Sequence, residues 1–560
     1  MAAAALLLGP TISAQNVLYT FSGDSAGDRL GWTVGGAGDV NRDGFDDLIV
    51  GAHRDDNHGT DSGSARVISG LDGSYLATFF GDSAGDFFGY SVAGAGDVNN
   101  DGSDDVIVGA PFDADNGTGA GSARVFSGRD GSILYTFYGD SAGDLFGVSV
   151  AGPGDVNQDG FADLFVGAEG DDATGSQSGR AQVFSGLDGS ILYTFDGDSP
   201  DDRFGIFVSG AGDVNNDGSP DLIAGAFFDD NNGPESGSAR VLSGADGSIL
   251  YTFYGDSPGD RLGRPVGAAG DVNDDGFDDV IVGAQEDDNN GNMSGSARVL
   301  SGANGSILYT FHGDSAGDIL GSSVAGIGDV NKDGHDDVLV GARRDDNNGG
   351  ASGSARVLSG ADGSILYMFD GDSPDDQFGY AVASAGDVNR DGYPDFIVGG
   401  IGDDNNGSES GSARVFSGLG CCPVTGLSCT TGPCESCPSM LATTTGGAPT
   451  LNNGSFALEL QNAPSNMSYA ILAISGPCVS PGTNYIFCGK INVPQPVAFL
   501  AAMPFTPGGS CNTNIHVPLP IPSDAAFLGI ALGTQWAVSC GAAVLGTSIS
   551  NCVSFVVTDS

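Results

Sequence analysis

The sequence repeats itself every 58 residues. The motif "GDVNRDGFDDLIVGA" at Gly38–Ala52 returns six more times. Its first aspartate stands at Asp39, Asp97, Asp155, Asp213, Asp271, Asp329 and Asp387, without one insertion or deletion. A fixed period of this kind marks an architecture of stacked units, each burying its apolar face against its neighbours. The copies occupy residues 15–420, nearly three quarters of the 560-residue chain.

Each copy reads as four strands. In the second, "FGYSVAGAG" (Phe88–Gly96) alternates small and apolar residues, and "DVIVGA" (Asp105–Ala110) is a continuous apolar run of the kind buried on both faces. "SARVFSG" (Ser122–Gly128) alternates again, and "SILYTFYG" (Ser132–Gly139) is β-branched and aromatic. The Asp-Gly of "RDGS" (Arg129–Ser132) signals a hairpin between the last two. Helical periodicity is absent. Seven units of four antiparallel strands predict an all-β fold, a seven-bladed β-propeller. The seventh copy stops at "SARVFSGLG" (Ser412–Gly420) without its fourth strand, and "NVLYTFSG" (Asn16–Gly23) matches that missing strand. Pairing the two ends would close the ring and remove an exposed edge.

Composition divides the chain. Net charge is -53, from 72 acidic against 19 basic residues, which excludes a nucleic-acid partner. Only Glu435, Glu459, Asp524 and Asp559 of those acids lie beyond residue 420. All ten cysteines do: Cys421, Cys422, Cys429, Cys434, Cys437, Cys478, Cys488, Cys511, Cys540 and Cys552. An even count confined to one region points to disulfides and an oxidising compartment. Zinc is the alternative, but Cys434 and Cys437 form a lone CxxC with only His516 after it. Residues 421–437 read as a Cys-rich linker. Residues 438–560, with runs such as "FALEL" and "VSFVV" between Gly and Pro, read as a small Cys-containing β-sandwich. The start, "MAAAALLLGPTISAQ", resembles the end of a secretory signal peptide covering residues 1–14. No stretch of 18 uninterrupted apolar residues predicts a membrane span.

The repeat resembles the FG-GAP repeats of the integrin α-subunit propeller. Phe-Gly or Leu-Gly opens each copy (Leu30-Gly31, Phe88-Gly89, Phe146-Gly147), and Gly-Ala ends its second strand (Gly51-Ala52, Gly109-Ala110). Pro follows only at Pro111, and the seventh copy reads Gly399-Gly400. Secreted bacterial proteins with such repeats are a closer likeness than an integrin itself, because no domain interrupts the blades. Integrins carry a calcium-loop consensus in only some blades, whereas here all seven have it. The resemblance implies a secreted or cell-surface protein whose ligand-binding face lies opposite the calcium loops.

The loop pattern is D-x-N-x-D-G-x-x-D. Oxygen ligands at alternating positions suit a hard cation taking six or seven contacts. The expected ligands in the first blade are Asp39, Asn41, Asp43 and Asp47, with the carbonyl of Phe45, and Gly44 permits the turn. The second and third loops offer Asp97, Asn99, Asp101, Ser103, Asp105 and Asp155, Asn157, Asp159, Phe161, Asp163. The fourth and fifth offer Asp213, Asn215, Asp217, Ser219, Asp221 and Asp271, Asn273, Asp275, Phe277, Asp279. The sixth and seventh offer Asp329, Asn331, Asp333, His335, Asp337 and Asp387, Asn389, Asp391, Tyr393, Asp395. About seven Ca²⁺ are expected. An EF-hand closes at position 12 and enters a helix, and Mg²⁺ keeps more waters, so neither fits. A solvated acidic turn is the plainer reading, against which stand seven identical ligand sets.

Two other acidic loops recur, "GDSAGDRLG" (Gly23–Gly31) and "DDNN" (Asp229–Asn232), on the face opposite the metal loops by strand order. They read either as solubilising turns or as a binding surface. Arg66, Arg124, Arg240, Arg298, Arg356 and Arg414 recur on the third strand, with Gln182 in the third blade, and their regularity points to structural pairing with nearby acids. None of the five histidines stands at a repeated position, and no catalytic motif occurs. The expectation is a non-enzymatic, calcium-stabilised propeller acting in adhesion or in binding an extracellular protein or carbohydrate. A polysaccharide-degrading enzyme and a surface-layer component are the alternatives.

Overall fold

The structure, a computed structural model, describes residues 17–418 and seven short strands between residues 455 and 557. The expected signal segment and the Cys-rich linker lie outside the described residues. The chain divides into two units, Met1–Gly420 and Cys421–Ser560. In the second, Ser455–Glu459 pairs with Leu500–Pro504 and Leu472–Ile474 with Tyr485–Phe487, while Ile515–Pro518, Gln535–Val538 and Phe555–Val557 form a three-stranded sheet. The remainder of the expected sandwich, with its cysteines, lies outside the described residues.

The first unit is a seven-bladed β-propeller, each blade a four-stranded antiparallel sheet. The second blade is typical, with strands Ser91–Gly96, Asp105–Ala110, Ser122–Phe126 and Ile133–Tyr138 paired in chain order. Its first strand is shorter than the sequence predicts. Phe88 lies outside it, bridging in parallel to Gly63 of the preceding blade. In the third, sixth and seventh blades the strand does reach back to the Phe-Gly or Leu-Gly pair. The seventh blade is completed by β1 (Val17–Ser22), which pairs with Ser412–Phe416, Phe21 opposite Ala413.

First strands touch the first strands of both neighbouring blades all round the ring, the first blade against the seventh included. They therefore line the axis, and their small residues are a packing requirement. A Cβ on Gly152 would stand 2.7 Å from the Cα of Ala95 in the preceding blade. The apolar core lies between blades. Ile49 and Val67 of the first blade pack with Phe88, Val106 and Val108 of the second, and Leu30 and Leu48 of the first with Ile397 and Val415 of the seventh.

The Phe-Gly and Gly-Ala pairs are the two sides of one contact. Phe88 is fully buried and its N–H donates to Ser62 O of the preceding blade (3.0 Å). A Cβ on Gly51 would lie 2.2 Å from Gly89 O, and one on Gly89 would lie 2.2 Å from Ser64 O. Across the closure, a Cβ on Gly399 would lie 2.1 Å from Gly31 O. The blades meet backbone to backbone, and the seventh meets the first as the others meet.

Two glycines of similar φ separate strain from space. At Gly143 (φ 94°) an added methyl would have nothing within 4 Å, whereas at Gly89 it would meet the Ser64 carbonyl. Gly143→Ala should cost about 1–2 kcal/mol from the left-handed backbone alone. Gly89→Ala should cost about 2 kcal/mol more through overpacking. Equal losses in denaturant unfolding would contradict this account of the blade contact.

Candidate functional site

Each acidic loop joins the first and second strands of its blade, and its backbone is set by its own carboxylates. Asp39 Oδ1 accepts the N–H of Asp43 (3.0 Å) and its Oδ2 the N–H of Gly44 (2.8 Å). Asp43 Oδ1 accepts the N–H of Phe45 (3.0 Å). The first aspartate accepts the same two bonds in every loop, for instance from Asp101 and Gly102 at Asp97 and from Asp391 and Gly392 at Asp387. Gly44 is left-handed as expected (φ 83°), and so is the non-glycine residue two places before it, Arg42 (φ 61°). That second turn holds through all the loops, at Asn100, Gln158, Asn216, Asp274, Lys332 and Arg390. Each such residue costs about 1–2 kcal/mol of backbone strain, less for Asn and Asp.

The asparagine and the last aspartate behave differently from one another. In the first, third, sixth and seventh loops the asparagine oxygen joins the first aspartate in accepting the fifth residue's N–H, as Asn41 does from Asp43 (2.8 Å). Asn99 Oδ1 and Asn215 Oδ1 are buried with no hydrogen-bond partner, and so is Asp395 Oδ2. The last aspartate is wholly buried and turned partly away. Asp47 accepts the N–H of Val40 (3.1 Å) and that of Gly70 (2.9 Å), which ties the loop to the turn between third and fourth strands. Burial raises Asp47 to about 6 and Asp337 to about 7, against the pull of those N–H bonds. Each loop thus brings the first aspartate, the asparagine and the fifth-position aspartate to one turn, with the ninth beneath it. Unpartnered buried oxygens in three loops fit an oxygen-liganded cation.

Neighbouring loops also touch. Asp104 Oδ2 accepts the N–H of Asp39 from the preceding blade (2.8 Å), and Asp46 Oδ2 that of Asp387 across the closure (2.8 Å). Asp278 and Asp336 do the same, while Ala162, Pro220 and Pro394 stand at this position in the other blades. The left-handed residues reach forward onto the next loop: Gln158 onto Gly218 O (3.0 Å), Arg390 onto the Phe45 ring (4.5 Å), Lys332 onto the Tyr393 ring (3.9 Å).

On the opposite face the tightest carboxylate groups are ones that sequence reasoning did not single out as ligands. Asp24, Asp28 and Asp55 bring carboxylate oxygens within 4.8 Å of one another, and the group recurs at Asp82, Asp86, Asp113 and in later blades. An arginine already offsets part of the charge of these groups. Arg66 pairs with Asp24 (2.7 Å) and Asp55 (3.3 Å), Arg124 with Asp82 (2.7 Å) and Asp113 (3.4 Å), and Arg356 with Asp314 (3.0 Å) and Asp345 (3.1 Å). Burial, then a hydrogen bond shared with Asp24, raises Asp28 to about 7. Asp86, Asp202, Asp260 and Asp318 are raised alike. The structural pairing expected of the third-strand arginines is present. The third blade has it too, although Gln182 stands at the repeated position. Arg180, two residues earlier and so on the same strand face, pairs with Asp171 (3.0 Å) and Asp196 (2.7 Å).

Sequence reasoning also missed the mouth of the axis. One residue follows each Phe-Gly or Leu-Gly and one follows each Gly-Ala or Gly-Gly, and these positions differ from blade to blade. Trp32 lies against Tyr90 (5.4 Å between ring centroids), Tyr380 (4.7 Å) and His53 (4.1 Å), joining the seventh, first and second blades. Burial lowers His53 to about 3, so the ring is neutral.

Residues 30–68, 88–126, 146–184 and 320–358 match the FG-GAP repeat family. Over 215 residues the chain is 32% identical to integrin alpha-5 of Xenopus laevis, covering 35% of this chain and 20% of that one. It is 32% identical over 219 residues to integrin alpha-8 of Gallus gallus, with the same coverage of each. The matched stretch spans about a fifth of these relatives' length. Among solved structures, BBS1N in complex with ARL6DN aligns with a TM-score of 0.45 at 11% identity, over 73% of this chain and 98% of that one. Repeats and architecture together define an FG-GAP propeller. They support an integrin α N-terminal-like propeller, similar to integrin alpha chains over the matched stretch.

The proton held by each Asp28-type group gives a pH dependence. An unfolded aspartate titrates near 3.8 and the folded group near 7, so folding takes up protons between these values and stability falls as pH rises through the window. In chelator, the melting temperature should be higher at pH 5 than at pH 8. A flat or rising profile over that range would contradict the raised aspartates.

Proposed function

We propose that this protein is a secreted or cell-surface calcium-binding propeller that acts in adhesion, holding an extracellular protein or carbohydrate ligand without catalysis. The observation that carries the calcium reading is the set of unpartnered buried oxygens on Asn99, Asn215 and Asp395 within loops that already converge their carboxylates. In the first loop Asp39, Asn41, Asp43 and the Phe45 carbonyl would hold the ion, with Asp47 behind them, and the other six loops would use their counterparts. A bound Ca²⁺ would neutralise the clustered carboxylates. The loops, not the opposite acidic groups, are the proposed sites, because an arginine in each of the latter already offsets part of its charge.

The adhesion reading rests on the relation to integrin alpha chains and on the face opposite the metal loops, where two loops per blade surround the blade-specific residues of the axis. A glycan and protein array, probed with and without calcium, tests it; binding to neither class would sink it.

Calcium at a hundredfold over its Kd stabilises the folded state by about 2.7 kcal/mol per site. Over as many as seven sites the melting temperature should rise by more than about ten degrees between chelator and saturating calcium. Calorimetric titration should count about seven ions, and Asp43→Ala should remove one. Stoichiometry of zero or one, or a melting curve indifferent to chelator at low ionic strength, would overturn the calcium reading.

A further inference from the structure

Twelve of the seventeen arginines pair with a carboxylate. Among the described residues, Arg264 and Arg343 are the only half-buried arginines or lysines without an ion pair. Both occupy blade-specific positions at the axis mouth: Arg264 follows Leu262-Gly263 and Arg343 follows Gly341-Ala342. The Arg343 guanidinium lies over the Tyr380 ring (5.5 Å) and that of Arg264 over Phe227 (4.9 Å). Arg343 Nε is buried without a hydrogen-bond partner. Burial works against the Arg343 charge, and Arg264 adds repulsion. The acids beside them are already engaged by other arginines: Glu169 faces Arg203 (3.6 Å) and Glu286 faces Arg261 (2.6 Å). An unpaired cation pair at this depth is costly, and an incoming anion would relieve it.

The surroundings say which anion. The same face carries a ring of outward carboxylates, Asp24, Asp82, Asp140, Asp198, Asp256 and Asp314, each more than half exposed. A polyanion would be repelled by that ring before reaching the centre. The complementary partner places one carboxylate at the centre and positive charge around it. We propose that Arg264 and Arg343, framed by Trp32, Tyr90 and Tyr380, bind a single carboxylate displayed on a lysine- or arginine-flanked segment of a protein partner. This names the ligand chemistry of the adhesion reading above and rests on it.

Trp32 is a built-in reporter, since the only other tryptophan is Trp536. Full-length protein with Trp536→Phe would be titrated at low ionic strength with a capped peptide Lys-Gly-Glu-Gly-Lys, its Gln counterpart, and polygalacturonate. The Glu peptide should change Trp32 fluorescence saturably, bind at least about tenfold more tightly than the Gln peptide, and weaken with added salt. Arg343→Gln and Arg264→Gln, each checked for an unaltered melting temperature, should each weaken it at least about tenfold. No saturable change, equal response to Glu and Gln peptides, or undiminished binding by both variants would overturn the proposal. Preference for polygalacturonate would overturn it in favour of an acidic glycan. Array binding and calcium stoichiometry on the same preparation distinguish its failure from failure of the proposed function.

Discussion

Each blade contact depends on two glycine backbones approaching too closely for any side chain between them. Gly51 and Gly89 meet in this way, and Gly399 and Gly31 repeat the contact at the closure. Much else follows from it. The buried Phe or Leu beside one glycine fills the wedge between sheets, as Phe88 and Leu30 do. That same ring supports the third-strand arginine, with Arg124 over Phe88 (5.8 Å) and Arg414 over Phe378 (5.3 Å). The residue just past each glycine is delivered to the axis mouth, where the blades can differ without disturbing the ring.

Closing the ring crowds acids, and the two faces balance them by different means. On one face six of the seven arginines span an outer and an inner aspartate, Arg240 reaching only the outer one, and burial beside a second aspartate raises Asp28 to about 7. Such pairs are partly buried, so removing the arginine would leave uncompensated charge, a larger loss than the pair's net contribution. On the other face backbone N–H groups take up one side of the loop carboxylates, and neighbouring loops brace one another. On that face a cation stands in only three of the seven loops, at Arg42, Lys332 and Arg390, and the proposed calcium would supply the balance there.

The blade number, the four strands per blade and the closure by β1 were legible because a 58-residue period with a buried second strand and a displaced N-terminal strand admits few other packings. The left-handed turn at Arg42 and its counterparts was not, since Arg, Asn, Gln, Asp and Lys share no conformational signature. Arg180 was hidden because the guanidinium moved two residues along the strand while staying on the same face. The residues at the axis escaped notice because comparing the copies emphasises what they share, whereas the signal lay in what differs: Trp32, Tyr90, Arg264 and Tyr380 at one register, His53, Glu169 and Arg343 at another. Blade-to-blade variance would have found them.

The division of labour between the two acidic faces is the central claim, and locating the ions tests it most directly. Crystals grown in millimolar calcium would be measured for anomalous scattering. The account predicts peaks in the loops that begin at Asp39, Asp97, Asp155, Asp213, Asp271, Asp329 and Asp387, and none at the Asp24, Asp28, Asp55 group or its repeats. Peaks at those groups, with the loops bare, would contradict it.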